Sequence, residues 1–92
     1  MSQTAPRRLK IVNVKGLHAR ASAKLAEVVE AHDASAVVRK DGEEASGDSI
    51  MGLLMLAASM GTFIEVETSG TEAERLADAI ETLVADKFGE GD

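Results

Sequence analysis

Ile64 and Val66 alternate with Glu65 and Glu67 in a stretch from Thr62 to Thr68. A strand with that pattern keeps one face in a core and the other in water. Further on, Ala73, Leu76, Ala77, Ile80, Leu83 and Val84 fall on one stripe of a helix that runs to about Lys87. Half-wet strands and one-sided helices bury their apolar faces against each other. The predicted architecture is therefore an α+β sandwich of two layers.

The remaining elements fit that plan. Leu9 to Val14 reads as a strand, with Leu9 and Ile11 on one face and Lys10 on the other. Ala19 to Ala31 reads as a helix with Ala21, Leu25, Val28 and Val29 inward and Lys24, Glu27 and Glu30 outward. Ala36 to Arg39 is a short strand, Asp41-Gly42 is a hairpin turn signal, and Glu43 to Ser46 is a polar returning strand at an edge. Ser49 can cap a helix from Ile50 to about Ser59. Thr71 and Glu74 have the spacing of a capping box before the last helix. Gly89 stops that helix, and the acidic tail to Asp92 is expected to fray. The order is β-α-β-β-α-β-α.

Size and composition narrow the function. With 92 residues the chain makes one domain, residues 1–92, with an ordered part of about 8–88. There is no cysteine, which excludes a disulfide scaffold, a thiolate zinc site and a cysteine nucleophile. His18 and His32 alone do not suggest a metal cluster, and no motif for an organic cofactor is present. His32, near the end of the first helix, reads as structural. The net charge of −6 argues against nucleic acid as a partner. The longest apolar run, Ile50 to Ala58, is too short for membrane insertion, and the N-terminus has no apolar leader core, so a cytoplasmic location is expected. The charge is uneven: Arg7, Arg8, Lys10, Lys15, Arg20 and Lys24 all lie near the start, while most acids come later. A basic patch there would suit an anionic ligand or an acidic partner.

His18 sits inside that patch. A strand ends, Gly16 turns the chain, and a helix begins just after the histidine. The first amides of a helix lack intrahelical acceptors, and the helix dipole is positive at that end. Together they make an anion site, to which Arg20 adds a planar donor for phosphate oxygens. A neutral imidazole nitrogen can attack phosphorus and form a phosphoimidazole. On these residues alone, three readings stay open. His18 is a phosphoryl-accepting nucleophile, an incidental polar residue on a regulatory binding module, or part of a small-anion site. Ser22, although close to His18, reads as a surface residue.

The segment from Ser49 to Ala58 is apolar on nearly every side. A small domain cannot bury a short helix all round, so part of it is expected to be exposed as a contact patch.

Gly16-Leu17-His18-Ala19-Arg20 resembles the active-site signature of the HPr family of phosphocarriers, from the bacterial phosphoenolpyruvate-dependent phosphotransferase system. Ser49-Ile50-Met51-Gly52-Leu53-Leu54-Met55-Leu56 resembles the segment around that family's regulatory serine, and the separation of the two motifs also fits. The resemblance spans about residues 8 to 88. It implies an open-faced β-sandwich, a four-stranded antiparallel sheet covered on one side by three helices. It implies phosphorylation of His18 on Nδ1 with help from Arg20, enzyme I as donor, and EIIA-type proteins as acceptors. It implies a relay rather than a free-standing enzyme, acting as a monomer that exposes its site to two partners in turn. It further implies phosphorylation of Ser49 by an HPr kinase/phosphorylase, and partner docking through Ala23, Ile50, Met51 and Leu54. Two positions depart from the family's pattern. Ala21 stands where proline is usual, and Asp48 precedes the serine, where an acid would weaken recognition by the kinase. Carriers of sugar-transport and nitrogen-related systems share these motifs.

Overall fold

The computed structural model describes residues 2–91. Its strands are β1 (Ser2–Gln3), β2 (Arg7–Lys10), β3 (Ser35–Lys40), β4 (Glu43–Ser46) and β5 (Phe63–Gly70). Its helices are α1 (Ala19–Glu30), α2 (Ile50–Met55) and α3 (Ala73–Ala85), followed by a 3-10 turn at Lys87–Gly89.

β5 lies inside the sheet. On one side it pairs antiparallel with β3, which pairs with β4. On its other side lie β1, opposite Ser69 and Gly70, and β2, opposite residues 63–66. These two short strands follow one another along a single edge, so the sheet has four strand positions, as expected. The pleat sends Leu9, Ala36, Val38, Ile64 and Val66 to the helical side. There they meet Leu25 and Val29 of α1 and Leu76, Ile80 and Val84 of α3, all buried. The opposite face is wet, and Arg39 on it reaches Glu44, Glu65 and Glu67 on the two neighbouring strands. Asp41 and Gly42 both take positive φ, at 51° and 83°, the geometry of a tight hairpin between twisted strands.

Four boundary expectations are corrected. The first long strand ends at Lys10, although Ile11 still exchanges backbone bonds with Gly61 and Thr62. Beyond it, Asn13 folds its side chain back onto the Gly16 carbonyl and closes a loop in place of continued pairing. α2 ends at Met55 instead of about Ser59. Ala57 turns left-handed there (φ 52°), and the next carbonyl, of Ala58, accepts the Leu17 amide at 2.8 Å. That tertiary bond outweighs helix propensity. The capping box at Thr71 does not form, because Glu72 is the N-cap residue and Glu74 turns to Arg7. Glu72 spends its carboxylate on the Asp33 amide at 2.7 Å, which lowers its pKa, helped by Arg75. Finally, the tail does not fray at residue 90. Phe88 is fully buried and Glu90 returns to the first loop. Asp92 lies outside the described residues.

Candidate functional site

The loop from Asn13 to His18 is fixed before any ligand arrives. Gly16 has φ +66°, and a Cβ there would lie 2.4 Å from the Ala58 carbonyl oxygen and 2.9 Å from the Ser59 Cα. Only glycine fits both the twist and the approach. Leu17 is buried next to it, and the Asn13 amide donates to the Gly16 oxygen at 2.8 Å. His18 is the N-cap residue of α1, extended (φ −79°, ψ −176°), and its carbonyl takes the Ser22 amide at 2.8 Å. Its neighbours Leu17 and Ala21 are buried, while 27% of the His18 side chain stays exposed. Ser22 is fully buried, contrary to the surface reading, with its hydroxyl bonded to the Leu17 carbonyl. It faces inward because it lies one residue from Ala21 on the buried stripe of α1.

An open cleft of about 390 Å³ beside the ring is lined by Lys15, His18, Arg20, Lys24, Gly89, Glu90 and Gly91. The expected pair of His18 and Arg20 thus shares one cleft with two lysines. Long cationic side chains and the first amides of α1 suit it to an anion. Ser49 is not among its lining residues. Ser49 is instead the N-cap of α2, its Oγ accepting the Gly52 amide at 3.0 Å, while the neighbouring Asp48 is engaged by Ser46 at 2.6 Å. The apolar helix divides as anticipated. Leu53 and Leu56 are buried, Leu54 is half-buried, and Ile50, Met51 and Met55 are exposed. Ala23 is half-buried on α1, which packs against α2. His32 bonds its Nδ1 to the Val28 carbonyl at 2.7 Å, in keeping with a structural role. Among the described residues, no three His, Cys, Asp or Glu side chains gather to hold a metal, and no helix is long and apolar enough to cross a membrane.

Sequence reasoning missed two residues. Asn13 is buried, and Glu90 crosses from the far end of the chain to meet it. The Asn13 Nδ2 donates to Glu90 Oε1 at 3.0 Å, while Glu90 Oε2 bonds His18 Nε2. The hydrogen bond from His18 and then that from Asn13 hold the Glu90 carboxyl below its usual value, with Lys15 adding to the effect. The turn that delivers Glu90 is costly. Lys87, Phe88 and Gly89 all have positive φ, and a left-handed non-glycine residue costs about 1–2 kcal/mol. Burial of Phe88 and a 2.7 Å bond from Lys24 Nζ to the Phe88 carbonyl offset it. Nothing in local periodicity marks Glu90. Its only sequence hint is the pair of glycines around it.

The family model described as the PTS HPr component phosphorylation site matches residues 5–86. This chain belongs to the HPr family of phosphocarrier proteins. The phosphocarrier protein HPr of Cupriavidus necator is 40% identical over 82 residues, 89% of this chain and 92% of that protein. The phosphocarrier protein NPr of Escherichia coli is 38% identical over 88 residues, 95% of this chain and 98% of that protein. An HPr from Thermoanaerobacter tengcongensis has the same fold, with a TM-score of 0.90 at 29% identity, covering 97% of this chain and 100% of that one. The HPr family model ends before Glu90, so the carboxylate on His18 lies outside the matched span.

Proposed function

We propose that His18 accepts a phosphoryl group from phosphorylated enzyme I and passes it to EIIA-type acceptors of the phosphotransferase system. The observation that carries this reading is a partly exposed imidazole at a helix start, in a cleft with Lys15, Arg20 and Lys24. Glu90 engages Nε2, so Nδ1 is the nitrogen left to react. Its lone pair attacks the donor's phosphorus. The donor–phosphorus bond breaks as the Nδ1–phosphorus bond forms, and the electron pair stays with the donor. Arg20 and the first amides of α1 bear the charge on the phosphoryl oxygens through a loose transition state. Transfer to the acceptor is the same step in reverse.

Partners would dock on the apolar surface that includes Ala23, Ile50, Met51 and Leu54. Methionine adapts to several shapes, which suits a surface that must fit donor and acceptor in turn. That role is served by a monomer. Phosphorylation of Ser49 by an HPr kinase/phosphorylase would place about −1.5 to −2 charge at the start of α2 and repel an acidic docking surface. The test is phosphoryl transfer from phosphoenolpyruvate through purified enzyme I. Wild type should take an acid-labile, alkali-stable label and His18→Ala none. Absence of label on wild type with an active cognate enzyme I would overturn the reading.

A further inference from the structure

We propose that Glu90 is a positioning residue for His18: it accepts the Nε2 proton and so keeps the lone pair on Nδ1. The inference rests on the phosphocarrier reading for its consequence, but not for its geometry. A neutral imidazole carries one proton, and the partner of one nitrogen decides the state of the other. A carboxylate can only accept, so Nε2 must be the protonated atom. The carboxylate is itself fixed. The Gly16 carbonyl orients the Asn13 amide, since an oxygen can bond only its NH₂ end, and that end also donates to Glu90 Oε1. One Glu90 oxygen is thus committed to Asn13 and the other to His18.

Three features show the contact to be built rather than incidental to a loose end. The Glu90 side chain is only 16% exposed. Phe88, two residues earlier, is fully buried and anchors the turn. The left-handed run from Lys87 to Gly89 aims the chain at the first loop, and strained backbone of this kind persists where the surroundings over-determine it. Nε2 lies across the ring from Nδ1. A carboxylate at Nε2 therefore leaves the reacting nitrogen open to a phosphoryl donor.

The same hydrogen-bond chain supplies a discriminating variant. Glu90→Gln keeps the shape, but Asn13 still donates. The new amide must give its oxygen to Asn13 and turn its NH₂ toward His18. An NH₂ at Nε2 favours the proton on Nδ1, the tautomer that cannot attack. Glu90→Ala only releases the ring. The substitution that better preserves shape should therefore be the worse carrier, the opposite of what a purely structural role requires.

The experiment is ring ¹⁵N NMR of His18 at mildly alkaline pH, together with the rate of label uptake from enzyme I. Wild type should show a protonated Nε2 and a bare Nδ1, and Glu90→Gln should reverse the two. Uptake should fall about 10- to 100-fold in Glu90→Gln and less in Glu90→Ala. The inference is overturned if the ring signature of Glu90→Gln matches wild type, if Glu90→Ala is the slower carrier, or if either variant is faster than wild type. The NMR arm needs no phosphoryl donor. A reversed tautomer in a protein that never takes label would sink the relay reading and leave the positioning role of Glu90 standing.

Discussion

Gly16→Ala isolates the close approach that holds the loop before His18. The new Cβ would lie 2.4 Å from the Ala58 oxygen, a backbone atom that cannot swing aside as a side chain would. Left-handed backbone at φ +66° costs an alanine about 1–2 kcal/mol. Forcing the loop off Ala58 adds about 1–3 kcal/mol, by analogy with overpacked cores. The stiffer unfolded chain returns about 0.4–1 kcal/mol. The net loss is about 3 kcal/mol, within bounds of about 1–4.5 kcal/mol. Total stability for a domain of this length is of order 5–14 kcal/mol. With a urea slope of about 1–2 kcal/mol/M, the midpoint should drop by about 1.5–3 M. Gly42→Ala is the control. Its φ of +83° is also left-handed, but a Cβ there meets nothing within 4 Å. It carries the conformational cost without the collision, so its midpoint should move much less. Equal shifts for the two variants would refute the steric argument. The folded fraction of Gly16→Ala should also take label more slowly, because the Leu17–Ala58 bond that seats His18 must lengthen.

Phe88→Ala should cost about 3–5 kcal/mol in urea unfolding, the usual loss for an emptied aromatic site, and should detach Glu90 from His18. Tail detachment would be read as lost exchange protection at Gly89 and Glu90, and its absence would show that Phe88 does not anchor the tail. Ser49→Ala should lose about 1 kcal/mol with the bond to the Gly52 amide, while Ser49→Asp should retain the cap, as urea midpoints would report. Acid should release the tail before it melts the sheet. The folded pKa of Glu90 lies below the usual 4.5, so the unfolded or detached tail binds more protons as pH falls. The contact is therefore complete above 4.5 and is lost as pH drops through the lower folded value. Chemical shifts of Gly89 to Gly91 followed through that range check it, and a tail that stays docked at pH 2 would contradict the assigned partners.

Elements whose cause is local were legible in the sequence. The alternation at Ile64 and Val66 is a strand with one wet face, Asp41-Gly42 is a hairpin turn, and the stripe from Ala73 to Val84 is the buried side of a helix. So was the setting of His18, because a glycine, a histidine and a helix start are neighbours in the chain. What was not legible depends on partners brought by the fold. α2 stops early because Ala58 is needed by Leu17, and Thr71 does not cap α3 because Glu72 takes the N-cap position. Asn13 and His18 meet Glu90 across 77 and 72 residues of sequence, a distance at which no periodicity operates. The same division runs through the site. Its chemical identity rests on a contiguous motif that the HPr family model covers, while the contact to its Nε2 comes from a segment beyond that match. A remote carboxylate can be gained or lost without disturbing the motif. Proteins sharing Gly16, His18 and Arg20 can therefore differ in how firmly the ring tautomer is held, and that difference would be sought in their C-terminal turns.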